Sequence, residues 1–156
     1  MITVDIPGYK TLQLRHLVLD YNGTLAVGGD LLNGVKERLE RLAPQINIHV
    51  LTADTFGGAR SALADVPCEV FILPEEAQDA RKFQYIEQLG IDKVVAIGNG
   101  CNDRLMIKAA ELGIVVTQAE GTAVSTLTSA DLVTPTILNA LDLLLHPLRL
   151  KATLRS

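Results

Sequence analysis

The sequence predicts a three-layer α/β fold, in which a parallel sheet lies between two layers of helices. Short runs rich in Val, Ile and Leu alternate with longer segments of helical periodicity, an alternation typical of strand–helix–strand units. Several runs are apolar without interruption, as expected of strands buried on both faces. The chain has 156 residues, a length that favours one domain over positions 1–156.

Six segments are predicted to be strands and three to be helices. The strands are 13–20, 46–51, 69–73, 93–97, 114–116 and 132–133. The helices are 33–43, 77–89 and 103–112, each with apolar residues at helical spacing. Gly90 and Gly113 follow two of them, where a left-handed residue commonly ends a helix. Residues 2–6 and 11–18 are expected to form a hairpin that extends the sheet edge.

Composition and charge exclude several classes of protein. The chain is 48% apolar and 21% charged, which is a globular balance, and its net charge of −4 argues against a nucleic-acid surface. No apolar run approaches the ~18 residues of a membrane span, and the amino terminus lacks the pattern of a signal peptide. Cys68 and Cys101 form neither a disulfide framework nor a metal-ligand spacing. We therefore expect a cytoplasmic protein with reduced thiols.

Three groups of polar residues come directly after apolar runs. Asp20 ends the first core run, Thr52 follows the second, and residues 99–103 follow the run at 93–97. Ligands of parallel α/β sheets bind beyond the carboxyl ends of the strands, so these groups are expected to meet at one edge. Gly23 and Thr24 can turn backbone N–H groups toward a phosphate, since Gly tolerates positive φ and close approach.

Two segments of the sequence resemble motifs of one known superfamily. Asp20-Tyr21-Asn22-Gly23-Thr24 resembles the first signature, Asp-x-[Asp/Thr]-Gly-Thr, of the haloacid dehalogenase-like (HAD) phosphohydrolases and of the P-type ATPase catalytic domain. Gly98-Asn99-Gly100-Cys101-Asn102-Asp103 resembles their fourth motif, Gly-Asp-Gly-x-Asn-Asp. A turn with an Asn or Asp helix cap would explain either fragment alone, but not both in the order of the family.

Two weaker features fit the same resemblance. Thr52-Ala53-Asp54 is similar to the second HAD motif, although an ordinary helix cap would also explain it. Lys82 aligns with a lysine that the family carries on the helix before the fourth motif, with Arg81 as its competitor and a surface lysine as the alternative. The chain therefore resembles small, cap-less HAD proteins described as soluble P-type ATPase-like, which implies a Rossmann-like fold without a cap domain.

The resemblance implies a role for each of these residues. Asp20 would be the nucleophile that forms an aspartyl-phosphate, and Mg²⁺ would be the cofactor. The catalytic set is Asp20, Asn22, Thr52 and Lys82. The phosphate-binding set is Gly23, Thr24, Thr52, Ala53 and Lys82. The metal set is Asp20 and the backbone carbonyl of Asn22, completed by Asn99 or Asp103 and supported by Gly98, Gly100 and Asn102.

Two acids of the family pattern are amides in this chain. Asn22 cannot protonate a leaving group or activate water, which are contributions of ~10²–10⁴-fold. Asn99 removes one carboxylate from the metal site, so we expect weaker Mg²⁺ binding. Three hypotheses follow: a Mg²⁺-dependent phosphohydrolase of low turnover on a small phosphorylated substrate, a phosphoryl-accepting domain with a long-lived aspartyl-phosphate, and a non-catalytic protein that binds phosphate or a partner protein.

Two further expectations concern the surroundings of the site. The interval between Leu25 and Asn33 is too short for a helical cap, so the site should be open or covered by a neighbouring subunit. The tail at 136–150 is apolar nearly all round its predicted helix, which Pro147 should break or end. We expect a homo-oligomer formed through this tail, against the alternative that packing in the core alone explains its composition.

Overall fold

A computed structural model describes residues 1–54 and 57–156. Its centre is a six-stranded parallel sheet with the strand order β10-β9-β8-β3-β6-β7. The strands of this sheet are β3 (His16–Asp20), β6 (Asn47–Thr52), β7 (Glu69–Ile72), β8 (Val94–Gly98), β9 (Leu112–Val116) and β10 (Leu132–Thr134). All residues of β8 and β9 are buried, which explains why the sequence of these strands is a continuous apolar run.

Helices cover both faces of the sheet, as the sequence predicts. They are α1 (Val35–Leu42), α2 (Ala59–Ala62), α3 (Gln78–Leu89), α4 (Arg104–Ala109), α5 (Val124–Leu127), α6 (Ile137–Leu145) and α7 (Pro147–Leu154). On one face α1 packs on α6, and α6 packs on α7; on the other face α3 packs on α4. Successive residues of β3 contribute to different layers, because Leu17 and Leu19 belong to the larger core and Val18 to the smaller one.

The predicted amino-terminal hairpin is present, but it does not extend the sheet. Strands β1 (Ile2–Asp5) and β2 (Thr11–Leu14) form a separate antiparallel pair. Only Arg15 separates β2 from β3, which is an inner strand of the sheet. The hairpin therefore lies beyond the amino-terminal ends of the central strands, on the side opposite the candidate site, rather than at a sheet edge.

The region around Gly113 differs from the prediction. Helix α4 ends at Ala109, and Gly113 lies inside β9 instead of capping a helix in a left-handed conformation. Its role is close packing, because a Cβ at this position would collide with the backbone carbonyl of Ile107. Gly90, by contrast, ends α3 with a φ of 90°, as predicted.

The apolar tail forms two helices, separated at His146, with Pro147 as the first residue of α7. Five of its apolar residues are buried in the core: Ile137, Ala140, Leu141, Leu144 and Leu150. Leu148 is 80% exposed. Core packing therefore explains most of the tail's composition, and self-association stays a prediction. Among the described residues, no helix has the length and apolarity needed to span a bilayer.

Candidate active site

The carboxyl ends of the central strands bring together an ion-paired group of three buried side chains. Lys82, on α3, places Nζ 2.7 Å from Oδ1 of Asp20 and 2.7 Å from Oδ1 of Asp103. Asp20 is the last residue of β3, and Asp103 closes the turn after β8. Lys82 and Asp103 are fully buried, and Asp20 is 5% exposed. The structure thus joins three of the predicted residues from three separate elements.

One ammonium group faces two carboxylates in this group, and the pKa values follow from that arrangement. Burial and the Asp103 carboxylate raise the pKa of Asp20 to about 6, against the opposing effect of Lys82. Burial alone would lower the pKa of Lys82, but Asp103 and Asp20 outweigh it and raise that pKa above its ordinary value. Lys82 is therefore charged at neutral pH, and Asp20 is mostly ionised there.

The Thr24 hydroxyl makes a second group of contacts in the site, in which two acceptor oxygens lie near one donor. The Thr24 hydroxyl is 3.2 Å from Oδ2 of Asp20 and 3.3 Å from Oδ1 of Asn99. A hydroxyl has one proton, so it donates to only one of these oxygens at a time. The Asn99 amide is oriented by Gly121, whose carbonyl accepts from Nδ2 at 3.0 Å. Two acceptor oxygens therefore share a single donor in a buried place.

This donor set fits a hard cation such as Mg²⁺. Asp20 supplies one carboxylate oxygen and Asn99 one amide oxygen, and both lie close to the Thr24 hydroxyl. The Oδ1 of Asn22 is also buried, without a hydrogen-bond partner among the described residues. Oxygen ligands of this kind suit Mg²⁺, which usually keeps several waters. Within residues 1–54 and 57–156, no cluster of three His, Cys, Asp or Glu side chains has metal-site geometry. A cation here would depend on the single carboxylate of Asp20 together with amide and backbone oxygens.

Asp103 does not fit the expectation that it binds the metal. Its Oδ1 contacts Lys82, and its Oδ2 accepts from the backbone N–H groups of Asn99 at 3.0 Å and Gly100 at 2.9 Å. Both oxygens thus already have partners within the protein, and the side chain is fully buried. Asp103 anchors Lys82 and the turn, and a side chain at Gly98 would collide with it. Asn99, in the same turn, has a side-chain oxygen that shares the Thr24 hydroxyl with Asp20.

The backbone N–H groups of Gly23 and Thr24 were expected to face a phosphate, but in the structure they donate to carbonyl groups of their own turn. The Gly23 N–H donates to the Ala26 carbonyl at 2.8 Å, and the Thr24 N–H donates to the Tyr21 carbonyl at 3.2 Å. These bonds close the turn after β3, so both N–H groups already have acceptors within the protein. Gly23 has a φ of 80°, and a Cβ there would collide with the Asn99 amide. The turn therefore needs glycine to pack against Asn99.

The remaining predicted residues lie at the same edge of the sheet. Thr52 ends β6 and lies one position beyond Leu51, the register partner of Asp20. Its buried hydroxyl oxygen accepts from the N–H of Asp54 at 2.9 Å, and Ala53 between them is half-buried. Asn102 does not contact Asp20; its Nδ2 donates to Oε1 of Gln78 at 2.7 Å and ties the turn to the start of α3.

Sequence reasoning missed the segment after β9. Gln118 and Gly121 contact the two halves of the site, and the hydroxyl of Thr126 donates to the Gly100 carbonyl at 2.8 Å. Only the position of this segment in the sequence could have assigned it to the site, because it also follows the carboxyl end of a parallel strand. Between Leu25 and Asn33, where a cap would be inserted, the chain forms only the small hairpin of β4 (Ala26–Val27) and β5 (Asp30–Leu31).

Comparison with known proteins identifies relatives by sequence. No model of a protein family matches the chain. The uncharacterized protein MJ0073 of Methanocaldococcus jannaschii is 54% identical over 63 residues, which are 40% of this chain and 68% of that protein. The uncharacterized protein MJ0072 of the same organism is 49% identical over 39 residues, which are 25% of this chain and 89% of that protein.

Solved structures with a similar fold include several phosphatases. The cobalt-bound deoxy-D-mannose-octulosonate 8-phosphate phosphatase of Haemophilus influenzae has a TM-score of 0.71 at 15% identity, covering 92% of this chain and 94% of its own. The corresponding phosphatase of Moraxella catarrhalis, solved with magnesium, phosphate and KDO, has a TM-score of 0.69 at 16% identity, covering 85% and 86%. The HAD phosphatase BT1666 of Bacteroides thetaiotaomicron has a TM-score of 0.61 at 14% identity, covering 90% and 96%.

These comparisons agree with the architecture described above, a parallel six-stranded sheet between helices, with no inserted cap within residues 1–54 and 57–156. The chain therefore belongs to the family of the two Methanocaldococcus jannaschii proteins and has the fold of the HAD-superfamily phosphatases.

Proposed function

We propose that the protein is a Mg²⁺-dependent phosphohydrolase or phosphotransferase that acts on a small phosphorylated substrate through an aspartyl-phosphate on Asp20. The observation that carries the proposal is the buried contact of 2.7 Å between Lys82 and Asp20 at the carboxyl edge of the sheet. A buried carboxylate next to a fixed cation suits attack on a phosphoryl group. The proposal is further supported by the phosphatases that share the fold.

In the first step, an oxygen of the Asp20 carboxylate attacks phosphorus while the bond between phosphorus and the substrate's alcohol oxygen breaks. The alcohol leaves with a proton taken from water. Lys82 balances the negative charge on the phosphoryl oxygens, and an ammonium about 4 Å away is worth ~4 kcal/mol at an effective dielectric constant near 20. In the second step, water attacks phosphorus, releases inorganic phosphate and restores the carboxylate.

The remaining residues would hold and orient the reacting groups. Thr52 would donate its hydroxyl proton to a phosphoryl oxygen. Asp20, Asn99 and the backbone carbonyl of Asn22 would hold Mg²⁺ through their oxygens, and the ion would supply neutralisation of phosphoryl charge when bound. Thr24 keeps the oxygens of Asp20 and Asn99 together. The residues proposed for these roles lie at the same edge of the sheet.

Turnover is expected to be low because two groups are amides. Asn22 has no proton to give to the leaving alcohol and cannot accept one from the attacking water. Asn99 ligates without contributing negative charge, which weakens the electrostatic attraction for a divalent cation. The same features would give the aspartyl-phosphate a longer life, so transfer to an acceptor other than water remains part of the proposal.

The proposal is tested by Mg²⁺-dependent hydrolysis of an aryl phosphate and a panel of phosphorylated metabolites. The wild-type protein is compared with Asp20→Asn, and with Asp92→Asn as a control for an exposed acid at the opposite edge of the sheet. Slow phosphate release that needs Mg²⁺ and disappears only in Asp20→Asn is the expected result. Absence of release from the wild-type protein and from a variant with Asp at both 22 and 99 would favour the alternative, a phosphate-binding or protein-interaction module.

A further inference from the structure

Gln118 contacts the nucleophile turn with its amide group, although it lies far from this turn in sequence. It is half-buried and follows β9 by two residues. Its Nε2 donates to the carbonyl of Gly23 at 3.0 Å and to the carbonyl of Thr24 at 2.6 Å. Its Oε1 accepts from the N–H of Ile137, the first residue of α6, at 3.0 Å. One side chain thus joins the turn to the start of a core helix.

The chemistry of the partners determines the orientation of this amide. Two carbonyl oxygens require donors and a backbone N–H requires an acceptor, so only one of the two flip states satisfies all three partners. Both protons of the NH₂ group are used, one for each carbonyl. Ile137 is at the amino-terminal end of α6, where backbone N–H groups have no partner within the helix. Gln118 is therefore rigidly attached to the helix on one side and to the turn on the other.

The turn that Gln118 holds contains the group that aligns the reacting oxygens. The Thr24 hydroxyl lies between Oδ2 of Asp20 and Oδ1 of Asn99. The same segment of chain also orients Asn99, since Gly121 accepts from its side chain and the Ala123 N–H donates to its carbonyl at 2.9 Å. Residues 118–123 consequently connect both halves of the site.

We propose that Gln118 is a positioning residue that holds the turn at 20–24, so that the Asp20 carboxylate keeps the geometry needed for attack on a phosphoryl group. This inference rests on the proposed function. Gln118 touches neither the reacting carboxylate nor Lys82; it acts through the carbonyls of Gly23 and Thr24. Small displacements of a reacting group are costly, about 10²-fold for ~1 Å, so loss of this contact should affect the rate of reaction more than substrate binding.

Two substitutions separate the contacts of Gln118. Gln118→Met keeps the length of the side chain and removes all three hydrogen bonds. Gln118→Glu keeps an acceptor for Ile137 but removes both donors to the turn. Two controls match them: Gln13→Glu makes the same charge change at an exposed position of the amino-terminal hairpin, and Thr136→Val removes the hydroxyl that caps α6 by accepting from Asn139.

The experiment measures kcat and KM for an aryl phosphate with Mg²⁺, together with amide hydrogen exchange. Both Gln118 variants should lower kcat by ~10- to 100-fold, with little change in KM. Exchange of the Gly23, Thr24 and Ala26 amides should become about fivefold faster, since about 1 kcal/mol of hydrogen bonding to the turn is lost. Gln13→Glu should change neither quantity, and Thr136→Val should lower stability without lowering kcat.

Three results would overturn the inference. Unchanged exchange at residues 23–26 in both variants would show that Gln118 does not hold the turn. Faster exchange with unchanged kcat would show that the turn is held but does not position Asp20. A loss of kcat in Gln118→Met that is absent in Gln118→Glu would assign the effect to α6. If the wild-type protein shows no turnover, the proposed function fails, and the exchange rates alone decide whether Gln118 holds the turn.

Discussion

Lys82 and Asp20 form a buried ion pair, with Nζ and Oδ1 2.7 Å apart, although the residues are 62 positions apart in sequence. The pair connects α3 to the end of the central strand β3. Asp103 binds the same ammonium group from the turn after β8. Lys82 therefore neutralises negative charge at the candidate nucleophile. It also fixes the position of α3 against the ends of β3 and β8.

Removal of Lys82 should destabilise the fold as well as the site. Lys82→Met leaves Asp20 and Asp103 buried without a cation, and breaking a buried ion pair typically costs ~3–5 kcal/mol. Lys82 opposes the effect of burial on the pKa of Asp20, so without the lysine that folded-state pKa would lie further above its unfolded value. The variant should therefore be most stable in acid and lose stability as pH rises through the raised pKa of Asp20. Chemical denaturation at several pH values measures this effect.

Lys108→Met is the control for that comparison, because Lys108 is exposed on α4. It should unfold like the wild-type protein across the same pH range. A Lys82→Met variant as stable as this control at neutral pH would mean that the carboxylates are solvated and not held by the lysine.

Gly23 should be intolerant of even a methyl group. A Cβ there would collide with the Asn99 amide, and the residue also has a φ of 80°. Gly28→Ala is a matched control: Gly28 has a φ of 60°, and a Cβ there would meet nothing within 4 Å. Both variants carry backbone strain of ~1–2 kcal/mol, but only Gly23→Ala should weaken Mg²⁺ binding. Calorimetric titration with Mg²⁺ tests this, and equal effects of the two variants would contradict it.

Asn99→Asp should have opposite effects on cation binding and on stability. A carboxylate adds negative charge beside Asp20, so Mg²⁺ affinity should rise. The new side chain cannot donate to the Gly121 carbonyl, which now accepts from Nδ2 at 3.0 Å, and loss of that hydrogen bond costs ~0.5–1.5 kcal/mol. The variant should thus unfold more readily without Mg²⁺ and regain stability with it. A lower melting temperature that Mg²⁺ does not restore would count against the metal assignment.

Asn22→Asp should accelerate hydrolysis. The Asn22 Oδ1 is buried and has no hydrogen-bond partner among the described residues, so a carboxyl group fits the same space. It would supply a proton to the leaving alcohol and accept one from the attacking water, contributions worth ~10²–10⁴-fold. Initial rates of phosphate release from an aryl phosphate measure the change. Unaltered rates would indicate that position 22 does not face the reacting atoms.

A histidine pair on the sheet should make stability depend on pH. Nδ1 of His16 is 3.0 Å from Nε2 of His49, and Nδ1 of His49 is 2.9 Å from the Tyr85 hydroxyl. Burial lowers the pKa of both histidines, helped at His49 by the neighbouring His16. A base with a lowered folded-state pKa contributes stability above its unfolded pKa of ~6.5, and loses it as pH falls through the folded value.

The unfolding free energy should therefore fall between about pH 7 and about pH 5, by up to 1.4 kcal/mol per pH unit for each histidine that takes up a proton. His49→Gln should reduce this slope, whereas His146→Gln, a change at an exposed position, should leave it unaltered. Equal slopes in all three proteins would show that the pair does not titrate with folding.

The strands and the polar ends of the sheet were predictable from the sequence for a physical reason. Strands buried on both faces must be apolar throughout, so Val94–Gly98 is recognisable as such a strand from its sequence. The polar residues that follow it must then lie at the carboxyl edge of the sheet. Lys82 could be preferred over Arg81 only through the family resemblance. The structure separates the two, because Lys82 is fully buried, while Arg81 is exposed and donates to the Glu76 carbonyl.

Contacts that depend on the direction of individual polar groups were not predictable. The position of Asp103 in the motif does not reveal that its carboxylate binds two backbone N–H groups and Lys82. Gln118 carries no motif, since any polar side chain of its length could follow a strand. The contact between His16 and His49 depends on the pairing of β3 with β6, which sequence spacing does not encode.

The most direct test of the central claim is to trap the phosphorylated carboxylate. The protein is incubated with Mg²⁺ and a phosphoryl donor, quenched in acid, and mapped by mass spectrometry for added phosphate. The account predicts a label on Asp20 that resists acid, is released by hydroxylamine and is absent from Asp20→Asn. A phosphoryl group found on another residue, or phosphate release that continues in Asp20→Asn, would contradict it.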